Sequence, residues 1–187
     1  MKRVDTTWKR QAEVTKLKEL RRPPLTSEEE EALLNAATNP IDRFILIVLL
    51  DTGLRVSEFC LLSKDDFDAS KRLLRVKGKG GYLRVIPLTK RCFRLLEQFF
   101  KEHDNIKLTP RTVQKRLEKL SKRARLKRRI SPHILRHTFA VKVLRKTGNL
   151  RALQLVLGHK NLETTSVYLR YVSSEQAAES LRELGWE

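Results

Sequence analysis

SPHILRHTFAVKVLRKTGNLRALQLVLGHKNLETTSVYLRY, residues 131–171, is the stretch whose reading decides the fold. Ser131-Pro132 opens a helix, a cap residue followed by proline where the missing N–H is not needed. Phe139, Ala140, Val143 and Leu144 give that helix a core stripe, and Gly148 stops it. Leu150 to Leu157 reads as a second, buried helix ended by Gly158, which leaves His159 on the turn. Thr164 to Tyr168 begins or lies within the next helix.

Upstream of this stretch the pattern is also mostly helical. Thr26 with Glu29, or Ser27 with Glu30, makes a capping box at a first helix. Asn39-Pro40 caps a second, whose residues 41–51 are apolar nearly all round and therefore buried. Gly53 fits the end of that helix, and Arg55 starts a short one ending near Leu62. The period then changes. Residues 66–68, 72–76 and 82–87 read as three short strands, the last two joined by a turn at Gly78-Lys79-Gly80-Gly81. Two more helices follow, over 89–101 and 111–124. The expected fold is mainly α with a small three-stranded antiparallel sheet, an α+β domain over residues 25–187. Residues 1–24 read as a basic N-terminal arm or linker, or a disordered tail. Ser173 or Ser174 caps a last helix over about 175–184.

The 187 residues carry 40 Lys and Arg against 22 Asp and Glu, a formal charge of +18. Such an excess points to a polyanionic partner, nucleic acid first. The densest cations lie on and after the 111–124 helix: Arg111, Lys115, Arg116, Lys119, Lys122, Arg123, Arg125, Lys127, Arg128 and Arg129, with Glu118 the one acid among them. That face reads as a contact for the DNA backbone rather than a solubilising surface, which would mix signs. Cys60 and Cys92 have no metal-like spacing and read as reduced thiols in a cytoplasmic protein. The longest apolar run is far below the ~20 residues that span a bilayer, and no basic amphipathic helix suits a membrane surface. Asp65, Asp66 and Asp68 read as turn acids, because alternation sends neighbours to opposite faces. His133 and His137 have zinc-like spacing, but Ile134 stands where a metalloprotease needs Glu.

Six side chains suit chemistry on a phosphodiester without a metal or ATP. Arg55 and Arg136, planar and always protonated, can hold two non-bridging oxygens of a phosphorane-like transition state. An Arg at a helix start opposes the dipole unless an anion stands before it, and Glu58 lies on the same face to orient it. Tyr168 offers a phenol for attack and His133 a base to activate it. Lys79, at the tip of a glycine-rich hairpin, can protonate the leaving 5′ oxygen. His159 can hydrogen-bond a phosphate oxygen, and His137, beside Arg136, supports the group.

These segments, TGLRVSE, GKGGYLRVIPL, SPHILRHTFA and LGHKNLETTSVY, resemble in order and spacing the catalytic domain of the tyrosine recombinases, the phage integrase family, and look closest to its Xer-type members. The resemblance covers about residues 25–171. It implies a site-specific recombinase working through a 3′-phosphotyrosine intermediate, with no cofactor, in the nucleoid of the cytoplasm. It also implies double-stranded DNA as substrate, a monomer when free and a synaptic tetramer on two duplexes, with the last helix exchanged between neighbours. Two other readings use the same residues: relaxation of DNA in the manner of a type IB topoisomerase, and an inactive DNA-binding regulator. Family members usually carry an N-terminal core-binding domain. Only about 24 residues precede the domain here, which implies an excised fragment or a minimal enzyme.

Overall fold

A computed structural model describes residues 23–172 apart from Lys79, Gly80, Tyr82 and Lys160. The basic arm, the hairpin-tip lysine and the helix expected over 175–184 thus lie wholly or almost wholly outside the described residues.

Helix α1 (Ser27–Ala36) is closed by Thr26 and Glu29, one of the two capping pairs read from the sequence. Thr26 Oγ1 accepts from the Glu29 N–H at 3.2 Å, and Glu29 Oε2 accepts from the Thr26 N–H at 3.0 Å. Helix α2 (Pro40–Thr52) starts on Asn39, whose Oδ1 accepts from the Ile41 N–H at 2.9 Å. Every side chain from Phe44 to Leu50 is buried, because α2 runs through the middle of the domain with three later helices packed on it. Gly53 ends it in the left-handed conformation at φ 61°, and the Phe139 ring occupies the space a Cβ would need. Gly is thus required here twice over, by conformation and by room. Helix α3 (Val56–Cys60) follows at once, with Arg55 as its N-cap residue.

A single 3-10 turn (Lys64–Asp66) leads to strands β1 (Phe67–Asp68), β2 (Leu73–Lys77) and β3 (Leu83–Pro87), antiparallel in the order β1-β2-β3. Asp66, expected in the first strand, instead closes the turn by accepting from the N–H and hydroxyl of Ser63, both at 2.9 Å. Asp68 accepts from Ser70 and from the Lys71 N–H, so both acids serve turns. Helices α4 (Lys90–Glu102) and α5 (Pro110–Arg123) pack on α2. Helix α6 (Pro132–Thr147) packs on α2 more closely than any other element, and α7 (Leu150–Leu157) lies between α6 and β3.

Two details of the organising stretch differ from the expectation. Ser131 does not cap α6 through its side chain: the hydroxyl is buried with no hydrogen-bond partner among the described residues, and the Ser131 carbonyl accepts from Ile134 and Leu135. Pro132 therefore sets the helix start. Helix α8 is short, Glu163–Ser166, and Tyr168 lies past its end in a turn that runs into a 3-10 segment, Leu169–Tyr171. The backbone tightens there, with the Tyr168 N–H bonded three residues back to Thr165.

The core has two parts. The larger is built on α2 and takes in Leu33, Leu74, Ile86, Leu96, Leu117 and Leu135. The smaller joins α6, α7 and the tyrosine segment through Phe139, Leu144, Leu153, Leu157, Val167 and Tyr168. Among the described residues no helix is long and apolar enough to cross a membrane.

Candidate active site

The carboxylate of Glu58 is the centre of the site. It is buried, yet it takes four hydrogen bonds from two arginines. Arg55 donates its backbone N–H to Oε2 and its Nη1 to Oε1, both at 2.8 Å. Arg84 donates Nη1 to Oε1 at 3.0 Å and Nη2 to Oε2 at 2.7 Å. Arg136 Nη1 stands 4.0 Å from Oε2. Burial alone would raise the Glu58 carboxyl; the hydrogen bonds from Arg84 and Arg55 outweigh it and hold the group below its usual range.

Helix α6 delivers Arg136 into this cluster. Its Nη1 donates to the Gly53 carbonyl at 2.5 Å, and its Nη2 donates to the Leu157 carbonyl at 2.8 Å. Burial, followed by the nearby charge of Arg55, pushes its pKa down to about 10, so it stays charged at neutral pH.

His159 closes the group. Its Nε2 lies 3.1 Å from Arg136 Nη2 and its Nδ1 3.0 Å from Thr165 Oγ1. A guanidinium can only donate, so Nε2 must be the accepting nitrogen and Nδ1–H must donate to Thr165. Burial first, then Arg136, Arg55 and Arg84, push the imidazole down to about 3, so it is neutral. Arg55, Arg84, Gly158, His159 and Arg151 share the wall of an open cavity of about 580 Å3. Arg55, Arg84 and Arg151 make this wall positive, which suits an anion, while Arg136 is not among the residues lining it.

The remaining expected residues are placed differently. His133, in the first turn of α6, is exposed, and neither it nor Tyr168 lines the cavity. Tyr168 is only 4 % exposed and packs in the smaller core, its ring 5.1 Å from that of His137. His137 is buried under the tyrosine segment, with Nε2 3.3 Å from the Tyr171 hydroxyl. Burial, then the charges of Arg170, His133 and Arg128, push it down to about 4. Lys79 lies outside the described residues.

The basic face is divided. Arg111, Lys115, Lys119, Lys122, Lys127 and Arg129 are exposed. Arg116 pairs with Asp42 at 2.7 Å, and Arg123 stands 3.5 Å from the same carboxylate. Arg128 holds Glu29 and the carbonyls of Pro23 and Pro24. Lys122 and Arg129 stand 3.9 and 3.5 Å from Glu118. The segment is therefore more salt-bridged than its own composition suggests, because α1 and α2 supply the acids from far away in sequence. Sequence reasoning also passed over Arg84, which alternation along β3 does not single out.

The fold is a mainly helical domain with a small antiparallel sheet, and it carries a positive cavity beside the Glu58–arginine cluster. The chain belongs to the phage integrase family, whose model matches residues 23–175. It is 38% identical over 163 residues to a tyrosine recombinase of Pseudothermotoga lettingae, covering 81% of this chain and 57% of the relative. It is 37% identical over 161 residues to the tyrosine recombinase XerA of Pyrococcus horikoshii, covering 78% and 56%. The chain thus spans a little over half the length of these relatives. Among solved structures it is similar to XerA recombinase, with a TM-score of 0.71 at 27% identity over 86% of this chain and 64% of that one. It is also similar to XerH recombinase bound to a palindromic difH substrate, with a TM-score of 0.70 at 25% identity over 87% and 54%.

Proposed function

We propose that this chain is the catalytic part of a site-specific DNA recombinase or integrase that cleaves and rejoins strands through a 3′-phosphotyrosine, without metal or ATP. The observation that carries the reading is the gathering of Arg55 and Arg136 on Glu58, with His159 bonded to Arg136 and with Arg55 and His159 sharing one cavity wall.

The scissile phosphate enters the cavity and its non-bridging oxygens take the guanidiniums of Arg55 and Arg136, whose charge stabilises the phosphorane. His159 contacts a third position. Its Nε2 accepts from Arg136, so it donates to a phosphate oxygen only once it takes a proton, which the incoming anion favours. Tyr168 leaves its apolar packing and attacks phosphorus. The new bond joins the phenolic oxygen to phosphorus, the phenol proton passes to His133, and the bond to the 5′ oxygen breaks. Lys79 protonates that oxygen. The phosphotyrosine keeps the bond energy, so attack by a 5′ hydroxyl reverses each step and joins a strand. The substrate is double-stranded DNA, as in the solved XerH complex with its difH substrate. The working form is a tetramer on two duplexes in the cytoplasm, with the last helix expected from the sequence, about 175–184, exchanged between neighbours.

The test is covalent trapping. The chain is incubated with a pool of nicked duplexes of randomised sequence, and protein–DNA adducts are resolved under denaturing conditions. Wild type gives an adduct in EDTA, and Tyr168→Phe gives none. An adduct formed equally by Tyr168→Phe, or no adduct from the wild type, sinks the reading.

A further inference from the structure

We propose that Arg84 is a positioning residue for this reaction, a buried fork that fixes Arg55, strand β3 and the His159 turn relative to one another. The inference rests on the strand-transfer reading and adds a residue that the sequence did not reveal.

Arg84 sits on β3, the strand leaving the hairpin that carries Lys79, and its side chain is 3 % exposed. A buried guanidinium is costly unless its N–H groups are used. Here they are directed to two parts of the chain. Nη1 and Nη2 hold both oxygens of Glu58, the residue that also holds Arg55. Nε donates at 2.8 Å to the carbonyl of Val156, three residues before His159. Arg84 therefore links three segments of the site through one planar group, which a single ammonium does not reproduce.

Two independent features show that the chain is arranged around this side chain. Gly158 has φ +66°, and a Cβ there would come within 3.0 Å of Arg84 Cδ and 3.1 Å of Nη1. The turn that presents His159 thus lies directly on the guanidinium, with no room for a side chain between them. The register of β3 gives the second. Leu83 and Val85 face solvent at 54 % and 52 % exposure while Arg84 is turned inward. A slip of one residue would turn both apolar side chains inward and expose the arginine together with Ile86, which is now fully buried. The strand takes the opposite face, the one that places the fork under the cavity. Well-packed apolar residues would stabilise the interior at least as well as a buried ion pair. What the arginine adds is direction for Arg55 and for the His159 turn.

The test uses the full chain and the same nicked duplex pool, below the melting temperature of every variant. Arg84→Lys and Arg84→Gln are compared with wild type for duplex affinity, for the first-order rate of adduct formation at saturating duplex, and for thermal melting. Misplacement of reacting groups by about 1 Å costs on the order of 100-fold in rate. The expected result is a loss of that order in the rate for both variants, with affinity changed by only a few-fold. Because part of its effect runs through Glu58, Arg84→Gln should cost less in a Glu58→Gln background than it does alone. The assignment is overturned if Arg84→Gln forms adduct at nearly the wild-type rate. It is also overturned if the loss follows the folded fraction, or if the two substitutions simply add. A wild-type chain that forms no adduct overturns the strand-transfer reading, and this inference falls with it.

Discussion

Replacing Glu58 by Gln should expose how much of the domain's stability is invested in gathering the arginines. Glu58 accepts four hydrogen bonds, two from Arg55 and two from Arg84, from a buried position. The amide keeps one accepting oxygen and turns an NH2 group toward a guanidinium, so about two of the four bonds are lost. Bonds to charged groups contribute about 1.5 kcal/mol or more each, which gives a loss of about 3 kcal/mol. Removal of one partner from a buried ion pair falls in the same range. For a domain of this size each kcal/mol moves the midpoint by about 2–4 °C, so Tm should fall by at least ~6 °C. Urea unfolding at pH 7 measures the free energy directly. The pH dependence supplies a second check. The Glu58 carboxyl is held below its ordinary value of 4.5, so its contribution is present above that value and is lost as pH falls through the lowered one. The gap between wild type and variant should therefore shrink in acid. A loss under about 1 kcal/mol at pH 7, or a gap that is constant with pH, would refute the reasoning.

The two buried imidazoles predict a separate acid sensitivity at higher pH. His137 and His159 are pushed down to about 4 and about 3 from an ordinary 6.5, so the unfolded chain takes up protons that the folded one refuses. Stability should be full above 6.5 and fall as pH drops toward 4, and His137→Phe should flatten part of that slope; a stability constant from pH 7 to 5 would contradict it. On α5, Lys115→Ala with Lys119→Ala should weaken DNA binding and lower the salt slope by about 0.9 per phosphate contact removed. Arg116→Ala should instead lower stability, because it leaves Asp42 buried without that partner at 2.7 Å. Equal salt-slope changes for both sets, with no stability loss for Arg116→Ala, would show that the two kinds of cation are misassigned.

What could be read from the sequence was what is encoded within a few residues. The Thr26–Glu29 box, the Asn39-Pro40 start, the left-handed Gly53, Gly148 and Gly158, and the Arg55–Glu58 pair all rest on contacts at most four residues apart. The partners that decide the site are farther off. Asp42 meets Arg116 across 74 positions, and Arg136 meets Gly53 across 83. No local count of charges reveals that an apparently free cation has an acid waiting on another helix. Arg84 escaped for a different reason. Binary patterning assigns the inward face of a strand to its apolar residues, and β3 buries an arginine while exposing Leu83 and Val85. Local rules fail in this way where a fold accepts a local cost for a site. The burial of Tyr168 likewise depends on α6 and α7 closing over it, and not on the residues beside it in the chain.

Arg136 has one more consequence. The carbonyls it holds, Gly53 and Leu157, belong to the C-terminal ends of α2 and α7, so the same guanidinium proposed to hold the phosphate also ties off two helices. Natural selection acting on this domain cannot remove the group without loosening both ends. A descendant that had given up strand exchange and survived only as a DNA-bound protein would be expected to keep this arginine for architectural reasons. Its retention is therefore a poor marker of surviving activity.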